Sequence, residues 1–220
     1  MLLADLPIPP DTAPLPAAVR KLLRVAAVRI DRFRMQPYAL AFVPSDYEGA
    51  YRVLRAIAEA GLARGTRFCE WGSGFGVVAC LAASLGFESY GIEIDGPLVD
   101  QARRLAEDFG LDVEFAHGSF IPRDAEGRVA SAGQYAWLTT EADDAYAELG
   151  LEPDDMDVVF AYPWPDEEAV TLALFDRYAG PGAVVAFWGA ETGFRLWRKT
   201  KSSGRQVFKS SGRKPSGSGS

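Results

Sequence analysis

Phe68-Cys69-Glu70-Trp71-Gly72-Ser73-Gly74-Phe75-Gly76 is the stretch on which the fold turns. Its start is short and largely apolar, and Val77-Val78-Ala79-Cys80-Leu81 follows it. That order reads as strand, tight loop, helix. Three glycines at alternate positions let the backbone turn sharply and approach a ligand closely. The helix behind them presents unpaired N–H groups and the positive end of its dipole. A nucleotide-derived ligand is what such a loop predicts.

The details narrow the ligand. A dinucleotide fingerprint needs a third glycine where Val77 stands. A P-loop needs a lysine that this stretch lacks. Glu70, two residues before the first glycine, would repel a pyrophosphate and attract an ammonium group. The next strand ends in Gly91-Ile92-Glu93-Ile94-Asp95. A carboxylate there can accept hydrogen bonds from both ribose hydroxyls. Glu93 is the candidate, because Asp95 suits the cap of a helix beginning near Pro97. The cofactor that joins an ammonium, a ribose and an adenine is S-adenosylmethionine. The candidate cofactor-binding residues here are Glu70, Gly72, Ser73, Gly74, Gly76, Glu93 and Ile94, with Glu70 suited to the ammonium and Glu93 to the ribose.

Outward from the loop, strands and helices alternate. Strands are predicted at Thr66–Trp71, Ser89–Ile94, Val113–Ala116, Asp157–Ala161 and Ala183–Trp188. Helices are predicted at Val77–Leu85, Pro97–Phe109 and Ala169–Tyr178, with Gly86 and Gly110 closing the first two. Repeated βα units with apolar strands imply an α/β fold, its parallel sheet covered on both faces. Ahead of the loop, residues 1–15 are proline-rich and read as an irregular arm. Residues 16–62 hold two amphipathic helices, about 16–35 and 46–62, read as a lid or cap. The first is basic, so a helix lying on a membrane is its other reading. Residues 63–210 form the cofactor-binding domain. Its stretch 121–155 is too long for an ordinary connection, and a helix is predicted inside it at Thr140–Leu149, capped by Thr139 or Thr140. Phe194–Lys199 and Gln206–Lys209 are predicted to pair as a hairpin across Ser202-Ser203-Gly204, and the Gly/Ser-rich 211–220 to be disordered.

The glycine motif and the Gly91–Asp95 strand end together resemble the class I S-adenosylmethionine-dependent methyltransferases, over about Phe42 to Trp188. The resemblance implies a Rossmann-like methyltransferase fold. Its seven-stranded sheet has order 3-2-1-4-5-7-6, with strand 7 alone antiparallel, and the predicted hairpin would supply strands 6 and 7. It also implies an aspartate after strand 3 that binds the adenine amino group. Here His117-Gly118-Ser119-Phe120 puts Ser119 in that place, an acceptor without charge. Phe120 has two readings, packing on adenine or in the core. His117, the single histidine, falls on the adenine side of the map rather than at the reacting methyl.

After strand 4, amino-directed nucleic acid methyltransferases carry an Asn/Asp-Pro-Pro-aromatic motif. This chain has Tyr162-Pro163-Trp164-Pro165, without the Asn or Asp. Tyr162 is the candidate catalytic residue, orienting an acceptor oxygen or amine, and Trp164 offers a cation–π face. Wall packing is the plainer role for both. Asp166, Glu167 and Glu168 could attract a cationic acceptor or simply favour the start of the next helix. Phe42-Val43-Pro44-Ser45 with the later motifs also resembles the small protein-lysine methyltransferases of the archaeal and mitochondrial type. Their Gly-Asp-Gly reads Gly74-Phe75-Gly76 here.

Charge bears on partners. The chain totals −7, yet residues 192–220 carry eight bases and no acid, and 16–35 carry six bases and one acid. The middle is therefore strongly acidic, which counts against nucleic acid as a partner. A small molecule or a protein side chain is the expected acceptor, with an amine among the groups it could present. No run of about 18 apolar residues is present, so no membrane span is expected. Cys69 and Cys80 match no zinc pattern and read as core residues of a cytoplasmic protein with no metal. The rival to an enzyme is a protein that binds S-adenosylmethionine or S-adenosylhomocysteine without catalysis. A nicotinamide oxidoreductase is disfavoured by Val77 and Glu70.

Overall fold

The computed structural model describes residues 2–35, 42–122, 125, 143–189 and 192–201. Seven strands make one sheet: β1 Leu3–Leu6, β2 Arg67–Trp71, β3 Glu88–Glu93, β4 Val113–His117, β5 Val158–Ala161, β6 Val184–Gly189 and β7 Gly193–Lys199. Their order is β1-β7-β6-β5-β2-β3-β4. β2 pairs parallel with β3 and β5, and β5 with β6. β7 runs antiparallel to both β6 and β1, so it alone is reversed. This is the expected sheet of a Rossmann-like methyltransferase fold.

One edge is built differently from the expectation. β7 pairs with β6 through Trp188↔Phe194 and Val184↔Arg198, not with a strand further along the chain. Its outer side is taken by β1, in register Leu3↔Lys199 to Leu6↔Leu196. The N-terminal arm, read as irregular, thus supplies the edge strand that the hairpin was to supply. Gln206–Lys209 and 211–220 lie outside the described residues. A further clamp holds the arm: the Arg55 guanidinium donates to both Asp11 oxygens, at 2.7 and 2.6 Å.

Two layers cover the sheet. On one face lie α1 Ala17–Arg34, α2 Tyr47–Glu59, α3 Val77–Ser84 and α4 Gly96–Phe109. Val19, Leu22, Ala26 and Ile30 of α1 pack into the same core as Leu54, Val78, Leu105 and Phe160, so the cap shares the core of the sheet. The other face holds Ala145–Leu149 and Glu168–Tyr178, against Cys69, Trp71, Ile92 and Phe187. Strand periodicity sorts the side chains: Phe68 and Glu70 face α1–α4, while Cys69 and Trp71 face the opposite layer. Burial pushes the thiol of Cys80 up to about 12 and that of Cys69 up as well, so both are inert core residues.

The insertion helix begins later than predicted. Asp144 caps Ala145–Leu149, accepting from the N–H groups of Tyr146 and Ala147. Thr139 and Thr140 lie outside the described residues. Among the described residues no helix is long and apolar enough to cross a membrane, and no cluster of potential ligands could hold a metal ion.

Candidate cofactor and acceptor site

Gly72, Gly74 and Gly76 all have positive φ, at 69°, 51° and 64°. L side chains avoid that region, so the loop can be built only from glycine at these points. Each glycine meets a different boundary. A Cβ on Gly76 would strike Phe115 and stand 2.8 Å from that of Ala102, so the loop is pressed onto the core there. One on Gly74 would collide with the Phe42 ring, which lies across the loop. One on Gly72 would meet nothing within 4 Å. Gly72 is thus the open backbone at the carboxyl end of β2, where a ligand can pass.

Glu93 organises the loop from β3. Its Oε2 accepts from the Gly74 N–H at 2.7 Å, and Oε1 from those of Ile94 at 2.8 Å and Asp95 at 2.9 Å. A carboxylate has about four acceptor positions, so one is left for a ligand hydroxyl. Burial pushes the Glu93 carboxyl up, against the pull of these three bonds. Ile94 follows, more than a third exposed, beside the rim. Asp95 caps α4 as expected.

Glu70 is turned inward. Its Oε2 accepts from the Ala79 N–H at 2.8 Å, which caps the first turn of α3 in place of Gly76, a residue with no side chain. Burial holds its carboxyl well above the usual range, and the nearby charge of Glu93 adds to this. Burial raises the phenol of Tyr47, at the start of α2, and the nearby charge of Glu70 adds to this. Neither glutamate takes part in an ion pair among the described residues. The Ser73 hydroxyl is buried without a partner among the described residues, its Cβ against Gly91. The Ser73 backbone is engaged as well, its N–H donating to the Ile92 carbonyl at 2.9 Å and its carbonyl accepting from the Gly76 N–H at 2.7 Å.

The expected adenine side is more closed. The Ser119 Oγ accepts from the Ile121 N–H at 3.1 Å. Its own N–H donates to the Asp143 carbonyl at 2.9 Å, and its carbonyl accepts from Ala145 at 3.3 Å. Asp143 and Ala145 thus lie against Gly118 and Ser119. Phe120 stacks on Trp71 with centroids 4.9 Å apart and planes 6° off parallel, so it belongs at least in part to the core. His117 lies beside Ile94, its Nε2 2.9 Å from the Ile94 carbonyl.

The acceptor side follows from register. Trp71 pairs with Ala161, and Ala161 with Phe187, so Gly72, Tyr162 and Trp188 continue one row beyond the strand ends. Trp188 pairs across to Phe194, their rings 4.6 Å apart. Tyr162, Trp188, Phe194 and Tyr47 all pack on the core of the α1–α4 face. Trp164, beyond the buried Pro163, is 40% exposed. Sequence reading found Tyr162 but missed Trp188, Phe194 and Tyr47. Their signal lay in the register of β6 against β7.

No protein-family model matches the sequence, and no curated protein does. Solved structures do match. A methyltransferase from Geobacter sulfurreducens aligns with TM-score 0.52 and 18% identity, over 85% of this chain and 92% of its own. A Klebsiella pneumoniae protein provisionally described as an O-methyltransferase aligns with TM-score 0.53 and 15% identity, over 86% and 93%. The chain has the methyltransferase fold. A Salinibacter ruber RNA methyltransferase, solved with S-adenosylhomocysteine, is also similar, with TM-score 0.49 and 19% identity over 75% of this chain and 99% of its own. In this methyltransferase fold, the glycine loop, Glu93 and the aromatic row meet at one edge, the carboxyl ends of β2, β3, β5 and β6.

Proposed function

We propose that the chain is an S-adenosylmethionine-dependent methyltransferase acting on a small molecule or a protein side chain. The observation that carries this is Glu93. Its buried carboxylate binds the Gly74 N–H and borders the open backbone of Gly72, at the carboxyl edge of a sheet of methyltransferase fold. The donor set fits this cofactor. Two acids and no paired base flank the loop, which opposes a pyrophosphate and suits hydroxyls and an ammonium. Glu70, Gly72, Ser73, Gly74 and Gly76 would hold the methionine end, Glu93 and Ile94 the ribose, and Ser119 with Phe120 the adenine side. When bound, the cofactor supplies a methyl group on a sulfonium, ready for in-line displacement.

The protein then has mainly to position the acceptor. Tyr162 stands one row position from Gly72 and is assigned that catalytic role, its hydroxyl orienting the attacking atom. The acidic middle of the chain argues for an acceptor other than nucleic acid. Calorimetry with S-adenosylmethionine, S-adenosylhomocysteine and NADH is the first test. Binding of the two sulfur compounds and not of NADH is expected; failure of both to bind would remove the proposal. Binding without any transfer of a labelled methyl group into a lysate would instead favour a non-catalytic cofactor-binding protein. The sequence departs at Tyr162 from the Asn/Asp motif of amino-directed enzymes, so both arms are needed.

A further inference from the structure

Two successive peptide groups at the end of β3 are gripped from both sides. The first joins Glu93 to Ile94. Its carbonyl accepts from the Gly118 N–H at 2.9 Å, and its N–H donates to Glu93 Oε1 at 2.8 Å. The second joins Ile94 to Asp95. Its N–H donates to the same Oε1 at 2.9 Å, and its carbonyl lies 2.9 Å from His117 Nε2. A carbonyl only accepts, so Nε2 carries the proton and donates. The end of β4 thus takes both carbonyls, one by the Gly118 backbone and one by the His117 side chain, while the Glu93 carboxylate takes both N–H groups. His117 and Glu93 are register partners, which puts the imidazole beside this turn. The ring rests on the turn: a Cβ on Gly96 would stand 3.5 Å from its Cε1 and Nε2.

A peptide group is planar and trans, so fixing its oxygen fixes the direction of its N–H. Gly118 does this for the Ile94 N–H through a backbone bond that any residue but proline could supply. For the Asp95 N–H the hold on the carbonyl comes from a side chain, and the identity of that side chain matters. His117 is exposed, so it is not placed there to fill the core. We infer that His117 is a positioning residue for the cofactor ribose. By holding the Ile94 carbonyl it aims the Asp95 N–H at Glu93, and so keeps that carboxylate turned for the ribose hydroxyls. This rests on the methyltransferase reading and adds to its ribose subsite a residue that acts through Glu93 rather than on the ligand. Without the imidazole the Ile94–Asp95 peptide is free to rotate, Glu93 loses one of its three donors, and its remaining acceptor position is no longer fixed. The effect belongs to the ribose hydroxyls, because other residues hold the rest of the ligand.

The test uses the full chain with S-adenosylhomocysteine and with its 2′,3′-dideoxy analogue, which lacks both ribose hydroxyls. In calorimetry the wild type should prefer S-adenosylhomocysteine by about tenfold or more. His117→Phe keeps a ring and loses the donor, and should cut that preference about fivefold. His117→Gln offers an amide N–H in place of the imidazole one and should restore most of it. In a Glu93→Ala background, His117→Phe should cost nothing further, as expected of two residues acting as one unit. A preference left unchanged, or equal weakening of both ligands, overturns the inference. A second readout needs no cofactor. In the free chain, amide hydrogen exchange at Asp95 should be about fivefold faster in His117→Phe and return to the wild-type rate in His117→Gln. Unchanged exchange also overturns the inference. Failure of S-adenosylhomocysteine to bind the wild type would instead strike the cofactor reading and the ribose role with it, while the exchange rates still decide whether His117 holds the turn.

Discussion

Three backbone N–H groups converge on the carboxylate of Glu93, which joins the Ile92 carbonyl in tying the glycine loop to β3. Hydrogen bonds to a charged group contribute about 1.5–3 kcal/mol each. Glu93→Ala should therefore lower affinity for S-adenosylhomocysteine by ten- to a hundredfold in calorimetry, and an unchanged affinity would remove the ribose role. Glu70 makes a different prediction. Its carboxyl is raised above the ordinary glutamate value of 4.5, chiefly by burial. The folded chain thus holds that proton more tightly than the unfolded chain. The associated stability is complete below the ordinary value and is lost as pH rises through the raised one. Glu70→Gln keeps an acceptor for the Ala79 N–H and carries no charge. Thermal unfolding should show the variant gaining on the wild type as pH rises above about 4.5, with no gain in more acid solution. Glu70 and Glu93 were legible in the sequence because their chemistry follows from position beside the glycines. The inward turn of Glu70 was not, since it depends on Gly76 leaving α3 without a side-chain cap.

At the scale of elements, the loop and the helix behind it form one unit. Gly76→Ala would force a left-handed backbone on a residue with a Cβ and drive that atom into Phe115 and Ala102. Left-handed geometry alone costs about 1–2 kcal/mol, and overpacking about 1–3. A loss of about 2 kcal/mol or more is expected in denaturant unfolding. Across the sheet, the Trp71 Nε1–H donates to the Tyr146 hydroxyl at 2.7 Å, both side chains buried. Tyr146→Phe would leave that donor unpaired, for a cost of about 1–3 kcal/mol by the same measurement. The helices were readable because apolar residues recur at 3.6-residue spacing, as Val19, Leu22, Ala26 and Ile30 do in α1. β1 was not. It is only four residues long, with Pro7, Pro9 and Pro10 close behind, and its partner lies at the far end of the chain. The row of Tyr162, Trp188 and Phe194 was hidden for another reason: it forms only when β6 lies beside β5 and β7 folds back onto β6. Nothing local in Phe194–Lys199 says that it turns back onto β6 rather than onward.

On the scale of the whole molecule, β1 closes an edge that would otherwise expose the N–H and C=O groups of β7. An uncovered edge is a template for pairing with other chains. Deleting residues 2–6 should lower the unfolding temperature and raise light scattering at high concentration, with the glycine loop and S-adenosylhomocysteine binding retained. Cofactor affinity falling as far as in Glu93→Ala would mean that the edge and the site are coupled. The pairing of Leu3 with Lys199 also sets a timetable for folding. During synthesis β1 leaves the ribosome well before β7 and has no partner until nearly all of the described chain has followed. β2 to β6 can pair as they emerge, but the last edge of the sheet waits for β7. Long-range closure of that kind is slow, because the entropy of the intervening chain must be overcome first. Until then the N-terminal segment is a loose strand that a chaperone, or a second nascent copy, can hold.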